Sequence, residues 1–254
     1  RRQQVATLGL SDFKREYPGS LEDAFHAGSS TYFDGEALDK IEPVRMRAEE
    51  LRLQPPADGE VYVAGIDVAA GVGRDYSVIT IASALDSQIV YTFRSNKLSP
   101  ARFSEKVMQE VARYNDAYTL IESNNHGHLV IDRLQGYDYR NLWADGQGRS
   151  WTTTLQSKVS IYENLREYIH NHMLQQLPDS TLLELRSLTV EKVAPEAPKG
   201  LHDDLAISLA LCYRALRDIP PIQLRGHMLH KMESFIEHRR TRRTRTRTPW
   251  KVAT

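Results

Sequence analysis

The chain is poor in sulfur, has no long apolar run and carries no overall charge, and each shortage removes a class of protein. A single cysteine, Cys212, stands among 254 residues, so no disulfide framework is available and a reducing compartment is expected. No apolar stretch approaches the roughly 18–20 residues that span a bilayer, and no signal-peptide pattern opens the chain. A soluble cytosolic protein with no membrane partner is therefore expected. A Gly-x-x-x-x-Gly-Lys-Ser/Thr phosphate loop is also missing from the sequence, which excludes a P-loop nucleotide site within it. The first residue is Arg1 rather than Met, so the chain reads as part of a longer polypeptide.

The formal net charge of zero comes from 33 bases set against 33 acids, and they are unevenly spread. Residues 239–254 hold Arg239, Arg240, Arg242, Arg243, Arg245, Arg247 and Lys251 and no acid. Taking those seven bases away leaves 26 against 33 acids, an acidic body with a basic tail. The tail has no apolar period, so it reads as a disordered segment open to an acidic partner or as a solvated terminus. The 41% hydrophobic content is enough to bury a sizeable core.

The body is organised around Val61-Tyr62-Val63-Ala64-Gly65-Ile66-Asp67-Val68. Both alternating faces of this run are apolar, as in a central strand covered on two sides. Asp67 stands near its end, ahead of the small-residue turn Ala69-Ala70-Gly71-Val72-Gly73, where α/β proteins commonly hold ligands. An Asp that merely caps its own turn is the alternative. Ahead of the strand, residues 1–57 read as an arm: Tyr17-Pro18-Gly19 breaks the chain, residues 20–25 form a short capped helix, residues 37–53 have helical character, and Gln54-Pro55-Pro56-Ala57-Asp58-Gly59 is a linker.

Past Asp67, residues 77–82 and 88–93 are β-branched and aromatic runs with a short connection, so three consecutive antiparallel strands are expected. Ser99-Pro100-Ala101 opens a helix on which Phe103, Val107, Val111 and Tyr114 recur at helical spacing. A strand over 119–123 ends in Glu122. A helix over 127–134, a strand over 139–143 and a helix starting near Lys158 follow, the last with Ile161, Tyr162, Leu165, Tyr168, Ile169 and Met173 as its apolar stripe. Residues 181–193 fit either a bent strand or a helical turn and a strand, and 194–200 a loop. Residues 205–216 form an almost wholly apolar helix whose first turn carries His202-Asp203-Asp204.

If the first and fourth strands are parallel neighbours, about 5 Å apart, Asp67 and Glu122 emerge side by side and the last helix brings Asp204 opposite them. Converging carboxylates repel one another unless a cation joins them, and oxygen ligands select Mg²⁺ or Mn²⁺. Two such ions about 4 Å apart can activate a water and stabilise the leaving oxygen of a phosphodiester. The consecutive Asp203 and Asp204 point about 100° apart on a helix, so only one aims squarely at such a site.

Three segments carry a resemblance: Gly65-Ile66-Asp67-Val68-Ala69 with Gly73-Arg74-Asp75-Tyr76-Ser77; Ile121-Glu122-Ser123-Asn124-Asn125 with Gly127; and Leu201-His202-Asp203-Asp204-Leu205-Ala206. Together they resemble the nuclease domain of the large terminase subunit of tailed bacteriophages, over roughly residues 58–217. Glu16-Tyr17-Pro18 through residues 22–25 is similar to the segment that leaves the packaging ATPase of that family. The resemblance implies a ribonuclease-H-like α/β fold, a mixed sheet of three antiparallel strands followed by parallel ones with helices on both faces. It implies metal-dependent endonuclease cleavage of concatemeric double-stranded DNA at the start and end of genome packaging, with the translocating ATPase absent from this chain. Implied partners are double-stranded DNA, the portal ring, the small terminase subunit and the ATPase domain of the same polypeptide, in the cytoplasm of an infected host and at the procapsid.

Three segments are thus expected: an arm over 1–57, the nuclease over 58–217 and a basic tail over 218–254. Asp67, Glu122, Asp203 and Asp204 are the expected catalytic and metal-holding residues for two Mg²⁺ or Mn²⁺ ions, with Asp67 bridging, Asp204 as the final ligand, and Asp203 second to it or a helix cap. Asp75 is an accessory ligand or a turn residue. Lys158 either contacts the scissile phosphate, positions water or is a plain surface lysine. Arg242, Arg243, Arg245 and Arg247 are candidate DNA contacts, with portal recognition as the competing use of the tail. His126, His128 and His202 flank the acids without an assigned catalytic role, and Cys212 is read as packing. Two other classes compete, an actin-like ATPase and a noncatalytic adaptor that docks on DNA or a portal.

Overall fold

The computed structural model of the chain describes residues 31–69, 73, 75–124, 126–190 and 193–221. The helix expected over 20–25 and the basic tail with Arg242, Arg243, Arg245 and Arg247 lie outside the described residues.

A five-stranded mixed sheet forms the centre. Strand β3 (Tyr62–Asp67) is buried along its whole length, as its two-sided apolar pattern requires. It pairs antiparallel with β4 (Ser77–Ser83), which pairs antiparallel with β5 (Ile89–Ser95). On its other side β3 pairs in parallel with β6 (Tyr118–Ile121). Strand β2 (Glu50–Arg52) adds antiparallel to β5 and completes the order β2-β5-β4-β3-β6. The three antiparallel strands and the parallel pairing of first and fourth core strands are thus present as expected, and the architecture is the expected mixed α/β one.

Helices cover both faces. On one, α2 (Pro100–Arg113) and α3 (Gly127–Gly136) pack Phe103, Val107, Val111, Val130 and Leu134 against Ala64, Ile66, Ile79 and Ile81. On the other, α6 (Asp204–Asp218) lies along β3 and β4 and is backed by α4 (Leu155–His170) and α5 (Asp179–Ser187). Among the described residues no helix is long and apolar enough to cross a membrane.

The approach of α6 to β3 is unusually close. A Cβ added at Gly65 would run into the backbone of Cys212 and Ser208, so a residue without a side chain lets the helix sit directly on the strand. Ser208 then donates its hydroxyl to the Gly65 carbonyl at 2.9 Å, and Cys212 is fully buried with its thiol 3.6 Å from the Val63 carbonyl.

Four expectations are corrected. The helical character expected over 37–53 reduces to α1 (Gly35–Leu38). Pro43 lacks the N–H that a continuing helix needs, and the chain becomes β1 (Glu42–Val44), paired in parallel with β7 (Gln176–Pro178), before entering β2. The strand expected over 139–143 is a single bridge between Thr119 and Leu142, because Asp145 accepts from the Gln147 and Arg149 N–H groups at 2.9 Å and turns the chain away. The 181–193 stretch takes the second of its two expected forms, lying partly in α5 and then in β8 (Thr189–Val190), and the correction falls on 194–200, where β9 (Pro195–Glu196) pairs with β8 inside the expected loop. Helix α4 begins at Leu155 rather than near Lys158, because Thr154 and Ser157 form a reciprocal cap: Thr154 accepts from the Ser157 N–H at 3.2 Å and Ser157 from the Thr154 N–H at 2.7 Å. It ends at His170, short of Met173.

Residues 31–53 pack against this body rather than standing away from it, with Phe33 and Leu38 in the core and Arg52 bonded to the buried Glu110 at 2.9 Å.

The tight seat at Gly65 generates a test. Gly65→Ala is expected to lower stability by about 1–3 kcal/mol, the usual range for forcing extra volume into a packed interior, read as a lower urea midpoint with an unchanged slope; an unchanged midpoint would show that α6 can shift freely.

Candidate active site

The chain brings four acidic residues to one end of the sheet by three routes. Asp67 is the last residue of β3 and is buried. Glu122 follows β6 directly, and its N–H donates to the Ile66 carbonyl at 3.0 Å, which continues the parallel ladder and fixes it beside Asp67. Asn124 donates its amide to Glu122 Oε1 at 3.0 Å and to the Thr153 carbonyl at 2.9 Å, tying that carboxylate to the segment before α4. Helix α6 carries Asp203 at its N-cap position and Asp204 as its first residue.

The two consecutive acids face different neighbours, as helical geometry demands. Asp204 Oδ2 accepts from the Tyr76 N–H at 3.2 Å and lies 3.5 Å from His202 Nδ1. Asp203 Oδ2 accepts from Lys158 Nζ at 2.9 Å. Asp203 occupies the cap position without a side-chain cap bond. Glu184, from α5, accepts from the Ala206 N–H at 3.0 Å and also from that of Leu205, and so takes the cap's place.

Electrostatics records the crowding. Burial, then the charges of Glu122 and Asp204, a hydrogen bond with Glu122 and the charge of Asp203 raise the Asp67 carboxyl well above its ordinary range. Asp204 is raised to about 6, first by burial and then by Asp203 and Asp75, against the lowering effect of the Tyr76 N–H and His202. Glu184 is raised to about 8, chiefly by burial. The Tyr162 hydroxyl is fully buried, has no hydrogen-bond partner among the described residues, and is raised by burial and then by Asp203, Glu184, Asp67 and Glu122.

A divalent cation would meet a suitable donor set here. The oxygens are all of the hard kind that Mg²⁺ and Mn²⁺ take, repulsion among them is relieved only in part, by Lys158 at Asp203 and the Tyr76 N–H at Asp204, and the buried Tyr162 hydroxyl without a partner feels their charge. The donor chemistry therefore fits a cation. Among the described residues, however, the acids as they stand form no group of three that could hold a metal ion.

Of the other expected residues, Lys158 is in the first turn of α4 and reaches Asp203, whereas Asp75 is exposed and touches the group only through its charge on Asp204. His126 and His128 are exposed, while His202 meets the Tyr76 ring edge-on at 5.4 Å. Sequence reasoning missed Glu184, Tyr162, Asn124 and Tyr76. Tyr162 was legible only as one apolar member of a helical stripe, and Glu184 sat in the stretch whose secondary structure was ambiguous.

No protein-family model matches the chain. Among solved structures it resembles the large terminase nuclease of the thermophilic phage G20c with bound magnesium, at 21% identity over 74% of this chain and 98% of that one, with a TM-score of 0.61. The same nuclease has also been solved with cobalt and with zinc. The large terminase nuclease domain of Thermus phage P74-26 is similar at 20% identity over 70% of this chain and 92% of that one, with a TM-score of 0.58. The large terminase of bacteriophage HK97 aligns at 10% identity over 85% of this chain and 50% of that one, with a TM-score of 0.50. The fold is therefore the ribonuclease-H-like fold of these nuclease domains.

Glu184 gives the site a signature in pH. Its folded-state value, about 8, lies above the ordinary 4.5, so between these values the folded chain holds a proton that the unfolded chain has released. The associated stability is complete below about 4.5 and is lost as the pH rises through about 8. Urea midpoints should fall across this window in the unmodified protein and fall less in Glu184→Gln; equal declines would show that Glu184 is not a buried protonated cap.

Proposed function

We propose that this chain is a metal-dependent DNA endonuclease of a viral packaging terminase, with its catalytic domain over residues 58–217, residues 1–57 as the segment leaving the packaging ATPase and residues 218–254 as a basic tail. The observation that carries the reading is the convergence on Asp67 of charge from Glu122, Asp204 and Asp203, reached from three separate elements. An acid group so arranged is costly to folding, which favours a functional use over a structural one. The fold shared with nuclease domains of phage terminases supports it.

In this reading Asp67, Glu122 and Asp204 hold Mg²⁺ or Mn²⁺, in two positions, with Asp203 as a further ligand. The bound ions supply Lewis-acid polarisation of the phosphodiester and a more acidic water. The chain's residues set the rest. Asn124 orients the Glu122 carboxylate and the Tyr76 N–H orients Asp204, leaving their remaining oxygens to the site. Glu184 caps α6 in place of Asp203, which frees the Asp203 carboxylate. Lys158 starts from its ion pair with Asp203, and either a phosphate takes it over or it stays to hold the acid; Asp75 is at most accessory. Substrate is double-stranded concatemeric DNA, cut where packaging begins and ends, beside a portal ring and the small terminase subunit. Arg242, Arg243, Arg245 and Arg247 contact DNA phosphates outside the cleft.

The purified chain should nick or linearise plasmid with Mg²⁺ or Mn²⁺ and fall silent in chelator. Asp67→Asn, Glu122→Gln and Asp204→Asn should each reduce cleavage by at least about a hundredfold, on the scale of losing a preorganised electrostatic group, while thermal unfolding holds or rises as repulsion is relieved. Asp203→Asn should be milder. Cleavage that survives full metal removal would refute the metal mechanism, and its absence under every metal would leave a noncatalytic docking module.

The tail is tested separately in an Asp67→Asn background. Removing residues 239–254 should weaken DNA binding and flatten log K against log salt by about 0.9 for each phosphate that the tail had neutralised; equal slopes would assign the tail to the portal or to solvation.

A further inference from the structure

The sheet register puts an arginine on the same face as the acids. Asp67 pairs with Val78, and Val78 with Arg94. Directly opposed residues on neighbouring strands project to one side, so Arg94 stands on the α6 face, two strand spacings or about 10 Å from Asp67. Its charge is felt by the buried Glu184 of α5, which packs on that same side.

The Arg94 guanidinium is seated on an aromatic ring. Its Cζ lies 4.7 Å from the centre of the Tyr76 ring, and that ring meets His202 edge-on at 5.4 Å. Tyr76 in turn gives its N–H to Asp204. Arg94, Tyr76 and His202 thus make a continuous step from β5 to the first turn of α6.

Most cations around the body are already committed. Arg52 is bonded to Glu110, Arg214 to Asp218 and Lys158 to Asp203, each at 2.9 Å or less. Among the described residues Arg94 is stacked but forms no ion pair. A guanidinium placed over a ring has lost part of its rotamer freedom in advance, and its fork of N–H donors matches the geometry of a phosphate. A polyanionic strand approaching four carboxylates is repelled, so a free cation on the same face has an evident use.

We propose that Arg94, supported by Tyr76 and His202, is a DNA phosphate-binding site that seats the substrate strand beside the acids. The Arg94 backbone stands two strand spacings, about 10 Å, from that of Asp67, farther than a single phosphate group extends. The bound phosphate is thus distinct from the one to be cut. This rests on the reading of the acids as a DNA-cleaving site, and it assigns the substrate's path across that site.

The test uses the full chain with a labelled DNA duplex in chelator, so that binding is read without cleavage, by fluorescence anisotropy across a salt series. Arg94→Gln, which keeps most of the stem, should bind roughly tenfold more weakly, the scale of one charge-assisted hydrogen bond, and should flatten log K against log salt by about 0.9. Arg94→Lys should recover the slope but not the full affinity. A folded Arg94→Gln protein, judged by thermal unfolding, with unchanged affinity and slope overturns the proposal. If that variant does not fold, the unmodified protein decides: DNA should slow the reaction of Arg94 with phenylglyoxal, followed by peptide mass spectrometry, and an unchanged rate overturns the proposal equally. Plasmid cleavage by the unmodified chain with Mg²⁺ is scored alongside. Its absence counts against the nuclease reading, whereas cleavage with binding independent of Arg94 counts against this site alone.

Discussion

The close seat of α6 on β3 is the constraint on which the rest of the structure depends. Gly65 has no side chain, and the backbone of Ser208 and Cys212 fills the space that a Cβ would need. Asp67 stands two residues farther along the same face of β3, and Asp204 opens the same helix. Whatever fixes the helix at Gly65 therefore also fixes how near the two acids come. The bonds that tighten the seat, from the Ser208 hydroxyl to the Gly65 carbonyl and between the Ser208 and Thr80 hydroxyls, both 2.9 Å, are buried and join uncharged groups. They hold their geometry whatever the protonation of the acids.

Bringing carboxylates together under an apolar helix has a cost, and the surroundings distribute it. Burial raises Asp67, Asp204 and Glu184 above their ordinary values before any neighbouring charge acts. Backbone N–H groups from Tyr76, Leu205 and Ala206 offset part of this, and Lys158 neutralises Asp203. What remains unrelieved is centred on Asp67, with the Tyr162 hydroxyl buried within reach of its charge and unpartnered among the described residues. Stability alone would favour replacing such a group with apolar side chains.

The strands and long helices were legible because each carries its own period. The run ending at Asp67, the two β-branched runs after it and the stripe on α2 need no knowledge of the rest of the chain. Errors fell where local pattern was weak. Residues 37–53 contain good helix formers, but Pro43 interrupts them and their strands exist only because β7 and β5 offer edges. The beginning of α4 was misjudged because a Thr and a Ser exchanging cap bonds are less conspicuous than an apolar stripe.

The sequence by itself determined that three acids end or begin strong elements, because strand termini and helix first turns can be read from short-range pattern. It also determined that the first and fourth core strands would carry two of those acids in parallel if they paired. The tertiary structure alone decided that Asp203 turns to Lys158 while Asp204 turns to Tyr76, that Glu184 caps α6 from another helix, and that Arg94 shares a face with Asp67. The first three depend on groups 22 to 128 positions apart meeting within hydrogen-bond distance, and the last on the pairing of three strands. No period in the sequence encodes such meetings, because they are set by register and by how closely one backbone can approach another.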